Sequence, residues 1–143
     1  MTKRTATIIT LANRQRRDPV PVAWLQRLAR SAVRRLRIRA RGMLSIVFVE
    51  AAQMRRLNAC FTGHRGLTDV LSFRFDDEPI IGEIIVAPAA ARQYARTHAV
   101  SYREELARYV VHGLLHWAGH EDETSTQQRK MRALENQLLH GVR

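Results

Sequence analysis

The chain has one cysteine, Cys60, in 143 residues. A single thiol closes no internal disulfide and builds no Cys-based zinc finger, so neither a disulfide framework nor a disulfide-linked partner is expected. Hydrophobic runs are short, and none approaches the ~18 residues of a membrane span. The stretch from Met1 to Leu11 carries Lys3 and Arg4, but its apolar part is too short and broken for a signal peptide. A cytoplasmic location with no membrane partner is expected. Glycine and proline are sparse, at seven and four, and no repeat, linker or low-complexity tract divides the chain. One domain over residues 1–143 follows. A chain of this length buries roughly two thirds of its unfolded surface and needs no staple merely to fold.

Acidic residues are nearly missing from the first third. Residues 1–42 hold twelve basic residues and one acid, Asp18, whereas residues 43–143 hold twelve of each sign. The whole formal excess of +11 therefore lies in the basic N-terminal third, and 22 of the 24 basic residues are arginine. Such a block attracts a polyanion and releases counterions when it binds nucleic acid, which makes nucleic acid the expected partner. An anionic membrane surface, or a solvated basic face with no partner, is the competing reading.

Periodicity predicts the elements. The β-branched residues 5–11 read as a strand and residues 12–20 as a loop. From Pro21 to about Ile38, Trp24, Leu25, Leu28, Ala32 and Leu36 recur at helical spacing. Arg27, Arg30, Arg34 and Arg37 fall on the other side and form a basic stripe suited to RNA. Met43–Val49 reads as a strand, Glu50–Ala59 as a short helix and residues 60–68 as a loop. Asp69–Phe75 and Ile80–Ala87 read as a hairpin around the acidic turn Asp76-Asp77-Glu78-Pro79. One helix follows Pro88. Another starts at a Ser-Tyr-Arg-Glu capping box at Ser101 and stops at Gly119. The last spans about Thr124 to His140, with Gly141 as its stop. Glu104 and Glu105 read as cap and solvated face. The expected architecture is α+β, a small mixed four-stranded sheet packed with about five helices.

The segment with chemistry is Tyr109-Val-Val-His-Gly-Leu-Leu-His-Trp-Ala-Gly-His-Glu-Asp122. His112 and His116 lie four apart on a predicted helix, which puts both imidazoles on one face about 6 Å apart. Gly119 can turn the chain back and deliver a third ligand. The frame His-x-x-x-His-x-x-Gly-x-x-Asp resembles metzincin-type ligand sets with Asp in the last place. It puts a metal site at the C-terminal part of a central helix, on His112, His116 and Asp122. His120 is the alternative third ligand. Eight residues of unbroken helix span ~12 Å, so His120 serves only if the turn delivers it. Gly113 occupies the place that His-Glu-x-x-His gives to the general base, which argues against peptide hydrolysis but not against metal-assisted phosphodiester cleavage. An arginine beside the site could neutralise the phosphate.

Three segments carry a wider resemblance: Leu67-Thr-Asp-Val-Leu-Ser-Phe73, Gly82-Glu-Ile-Ile-Val86 and His112-Gly-Leu-Leu-His-x-x-Gly119. In this order they resemble the YbeY family of bacterial rRNA-maturation endoribonucleases. The resemblance implies a single α+β domain and a zinc-type ion on three histidines. It also implies hydrolysis of single-stranded RNA, processing of the 16S rRNA 3′ end, and a part in ribosome assembly and quality control. The implied partners are rRNA and small-subunit particles.

Two departures fall at the site. The family motif ends in Tyr-Asp-His, and here the matching residues are His120-Glu121-Asp122, so Asp122 stands where the third histidine would be. A carboxylate ligates zinc, weakens the centre as a Lewis acid, and admits harder ions such as Mn or Fe. The family also carries an arginine before the Thr-Asp-Val-Leu-Ser-Phe strand, where this chain has Thr62. Arg65 lies three residues later and is the candidate catalytic arginine. Without a substitute, about 2–4 kcal/mol of phosphate stabilisation is lost. These departures motivate a rival reading, a ribosome-assembly RNA-binding factor with weak or lost hydrolysis.

Overall fold

A computed structural model describes residues 7–76 and 78–140. Residues 1–6, Asp77 and residues 141–143 lie outside it, and with them the first two residues of the predicted strand 5–11, the basic residues Lys3 and Arg4, one residue of the acidic turn and the Gly141 stop. The elements run β1 (Thr7–Asn13), α1 (Val22–Arg35), β2 (Gly42–Phe48), α2 (Ala51–Thr62), β3 (Val70–Arg74), β4 (Ile80–Val86), α3 (Pro88–His98), α4 (Tyr102–Trp117) and α5 (Ser125–Leu139). The strands form one mixed sheet in the order β1-β2-β4-β3. β1 and β4 flank β2 in parallel, and β3 pairs antiparallel with β4. This is the expected α+β architecture.

The two central strands bury both faces, as parallel strands covered on both sides must. Leu44, Ile46 and Phe48 of β2, with Ile84 and Val86 of β4, join the large core beneath α1, α4 and α5. Their alternates Val47 and Ile85 join Val49, Met54 and Ala87 in a smaller core beneath α2. Helix α4 is buried nearly all round. Tertiary bonds pin it to the hairpin: Ser72 Oγ donates to the Gly113 carbonyl (3.0 Å), Trp117 Nε1 to that of Ile81 (3.0 Å), and Arg74 Nη1 to that of Trp117 (3.3 Å).

Several expected boundaries move. α1 stops at Arg35, not near Ile38, and Arg37 lies past its end in the left-handed region (φ 55°). Arg27, Arg30 and Arg34 stay on the exposed side of the helix; Arg37 is exposed but off it. Arg35 faces the last turn of α5 instead, donating to the carbonyls of Gln137 (2.8 Å) and Leu138 (3.3 Å). That cation satisfies carbonyls a helix end leaves free. Cys60, Phe61 and Thr62, expected as loop, are the last turn of α2, which ends at Gly63. β1 reaches Asn13 because its register follows β2 as far as Phe48. Ser101 accepts from the Glu104 amide, but the reciprocal half of its box is missing among the described residues. The complete capping box lies at Thr124 and Gln127.

Gly113 sits where α4 crosses the sheet. A Cβ there would stand 2.6 Å from Cγ2 of the buried Ile84 and 2.9 Å from Cγ2 of Val70, which packs half-buried against the core. The Gly113→Ala variant is expected to lose about 1–3 kcal/mol. A urea titration reads this as a lower midpoint at unchanged slope. An unchanged midpoint would show that the contact has slack.

Candidate metal centre

Helix α4 carries His112 and His116 one turn apart, so their rings meet with centroids 4.5 Å apart at 75°. Their Nε2 atoms are 3.0 Å apart. The helix then closes in a Schellman turn: the Gly119 amide bonds the His116 carbonyl (3.0 Å) and the His120 amide that of Leu115 (2.9 Å). Gly119 takes φ 104°, which a side chain would resist. The reversal brings Asp122 back over the histidine pair, with Oδ2 3.4 Å from both Nε2 atoms. Gln128 of α5 holds the returning segment through the Asp122 carbonyl (3.1 Å).

His112, His116 and Asp122 are the only group of metal-ligand side chains among the described residues whose donor atoms all lie within 4.8 Å of one another. His120 is not in it; its side chain borders a separate concavity with Glu121, Gln127 and Lys130. The donor set fits a zinc-type ion. Ligands ~2.0–2.1 Å from a tetrahedral ion stand about 3.3 Å apart, and three protein donors leave a fourth position open. The separations of 3.0, 3.4 and 3.4 Å match.

Behind His112 lies a residue that sequence spacing did not single out. Glu135 of α5 is buried, with Oε2 2.6 Å from His112 Nδ1 and Oε1 accepting from Arg108 Nη1 at 3.0 Å. Burial alone would raise the Glu135 pKa, but the bonds from His112 and Arg108 and their charges hold it below the usual carboxylate range. Burial likewise pulls His112 down, and the Glu135 bond and charge carry it above the ordinary imidazole value. A carboxylate only accepts, so the His112 Nδ1 proton is held on Glu135 while Nε2 faces His116 and Asp122. The signal for Glu135 was a carboxylate on the apolar stripe Met131–Glu135–Leu138.

His112 and Asp122 open onto a cavity of about 250 Å³, walled also by Asp69, Glu105, Arg108, Tyr109, Arg132 and Glu135 among others. Glu105 is thus a correction. It is buried rather than solvated, and burial raises its carboxyl pKa. Arg65 is exposed on the loop after α2 and is not among the residues lining this cavity. The guanidiniums that do line it are Arg108 and Arg132. The Thr62 hydroxyl is engaged with Asn58 O (2.7 Å).

Comparison with known proteins follows the same lines. The family model described as Endoribonuclease YbeY matches residues 10–143. Curated proteins named Endoribonuclease YbeY are similar to the chain. That of Thermodesulfovibrio yellowstonii is 35% identical over 107 residues, covering 71% of this chain and 67% of that one. That of Acidothermus cellulolyticus is 35% identical over 127 residues, covering 78% and 77%. That of Thermobifida fusca is 32% identical over 136 residues, covering 87% and 88%. A solution structure of TM1509 from Thermotoga maritima superposes with a TM-score of 0.64 at 24% identity, over 93% of this chain and 87% of that one. That likeness supports the fold.

The Glu135→Gln variant keeps the shape of the side chain and removes its charge. Metal affinity measured by chelator competition is expected to fall about 10- to 100-fold. Wild-type affinity in this variant would remove Glu135 from any part in holding the imidazole.

Proposed function

The chain belongs to the endoribonuclease YbeY family, and on that premise we propose that it hydrolyses internal phosphodiester bonds of single-stranded RNA with one metal ion held by His112, His116 and Asp122. The observation that carries this reading is the convergence of three donor atoms 3.0–3.4 Å apart at the turned end of α4. The same reading assigns the activity to the 3′ end of 16S rRNA on small-subunit particles in the cytoplasm. No helix among the described residues is long and apolar enough to cross a membrane.

A bound ion supplies Lewis acidity for phosphodiester cleavage. Zinc is the ion proposed, with Mn or Fe admitted by the carboxylate. The chain's residues do the rest. His112 and His116 offer neutral nitrogens, and Glu135 keeps the His112 proton on Nδ1. Asp122 brings a negative charge that a third histidine would not, which weakens the centre as a Lewis acid. Arg108 and Arg132 border the same cavity and offset the charge of an entering phosphate. Arg65, on its exposed loop, is proposed to contact the phosphate once RNA is bound. Gly113 offers no carboxylate base, in keeping with a phosphodiester rather than a peptide substrate. Outside the site, Arg27, Arg30, Arg34 and Arg37 are exposed and grip the RNA backbone.

The test is metal content by plasma mass spectrometry, with cleavage of a structured RNA alongside. Wild type is expected to hold about one ion per chain. The Asp122→Ala variant loses it and His120→Ala keeps it, while His116→Ala abolishes cleavage. Metal retained in Asp122→Ala and lost in His120→Ala would move the third ligand to His120. No metal in wild type after supply of Zn or Mn would overturn the hydrolytic reading.

Charge reversal tests the basic face. Arg34→Glu combined with Arg37→Glu is expected to weaken binding to all single-stranded RNA sequences at least about tenfold and to lower the log–log salt slope by about 1.4, the share of two phosphate contacts. An unchanged slope would remove these arginines from the RNA interface.

A further inference from the structure

Helix α3 carries an aromatic pair that the metal centre does not use. Tyr94 and His98 lie four apart, and their rings are stacked at 3.8 Å and 13°. The stack is held from below, because His98 Nδ1 donates to the Tyr94 carbonyl at 3.1 Å. Both side chains are exposed. Tyr94 is 37% exposed beside the cavity, which leaves part of its ring open to a planar partner.

Tyr94 lines the cavity of the metal donors and also a second, neighbouring concavity of about 410 Å³. Asp69, Tyr94 and Tyr109 are walls common to both, so the two hollows adjoin at these side chains. The second hollow is rimmed by Thr68, Gln93, Thr97 and His98, which offer hydroxyl, amide and imidazole groups rather than an enclosed apolar pocket. Beyond it, on the next face of α3, Arg96 and Arg17 border a further concavity with Asp18, whose carboxylate pairs with Arg92. A flat aromatic platform with polar groups at its edge and cations alongside is the composition of single-strand nucleic-acid grooves, where bases stack and the backbone meets positive charge.

We propose that the Tyr94–His98 stack is a nucleobase subsite, which takes the base of the nucleotide adjoining the phosphate at the metal donors. The inference rests on the reading of His112, His116 and Asp122 as the cleavage centre. It adds to that reading a contact outside the metal-binding motif. A planar base continues the stack that Tyr94 and His98 have begun, and the rigid pair loses little freedom in receiving it. Gln93, with its amide free of side-chain hydrogen bonds among the described residues, meets the base edge. Stacking tolerates any base, so the subsite favours unpaired strands over particular sequences.

The experiment uses the metal-loaded protein and a short 2′-O-methyl single-stranded oligonucleotide that resists hydrolysis and carries the fluorescent base 2-aminopurine. Binding to wild type is expected to quench the fluorophore at one position along the strand. Tyr94→Leu is expected to abolish that quench and weaken binding about 5- to 100-fold, whereas Tyr94→Phe retains both. With unmodified RNA, the leucine variant raises KM far more than it lowers kcat. Melting curves of the variants check that the exposed substitutions leave the fold intact. Quenching and affinity at the wild-type level in Tyr94→Leu would overturn the subsite, as would cleavage at wild-type KM. Quenching that depends on Tyr94 in a protein that cuts no RNA would support the subsite while overturning the hydrolytic reading.

Discussion

Helix α4 reaches the sheet at a point where no side chain fits. At Gly113 the backbone of the helix lies against Ile84 and Val70, and the Gly113 carbonyl takes a bond from Ser72. That contact fixes how close the helix comes, and Trp117 on Ile81 fixes it again one turn later. Residues to either side of Gly113 are then committed. Leu114 and Leu115 go into the core, and His112 and His116 stay half-exposed at the mouth of the cleft. The same closeness explains why the residue after the first histidine is not a glutamate. A carboxylate at position 113 would enter the apolar interface between α4 and the hairpin, where it would have no partner.

Four carboxylates and two guanidiniums line the cleft. Asp69, Glu105, Asp122 and Glu135 favour a cation, and Arg108 and Arg132 favour the anion that the cation would meet. Glu135 is the hinge of this arrangement, because it accepts from a histidine of the donor set on one oxygen and from Arg108 on the other. A buried carboxylate with two such partners is well satisfied, and removing either partner would leave charge stranded. The centre is therefore built from two helices. α4 supplies the histidines, and α5 supplies the carboxylate that orients one of them and the glutamine that holds the returning chain.

Much of this was legible in the residues. The near-continuous apolar runs in Met43–Val49 and Ile80–Ala87 revealed the central strands, because a sheet covered on both faces buries successive residues. The four-residue spacing of His112 and His116 and the stop at Gly119 gave the donor pair and the turn, since both are local. What failed to show was non-local. Glu135 lies 23 residues from His112, and nothing in either segment announces the bond. Glu105 reads as surface beside Glu104, and only the tertiary packing around the cleft shows that it is buried. Arg37 shows the limit of a helical wheel. The wheel extrapolated a stripe across a helix end that the Leu36 cap had already closed. Thr62, in the last turn of α2, and Arg65, in the loop after it, mark the same limit, because spacing does not determine which side chain faces the cleft.

Asp18, the one acid among residues 1–42, is turned inward. Arg92 of α3 pairs with it, and Gln15 caps its amide at 3.0 Å. Arg14, Arg16 and Arg17 beside it, and Arg27, Arg30 and Arg34 on α1, all remain outside. Among the described residues, the charges that this segment exposes to solvent are therefore all positive. The reach of such charges is set by the medium, about 8 Å at physiological ionic strength and about 30 Å in dilute buffer. A strand drawn in by that field would also be let go through it, so ionic strength would govern how long it is kept.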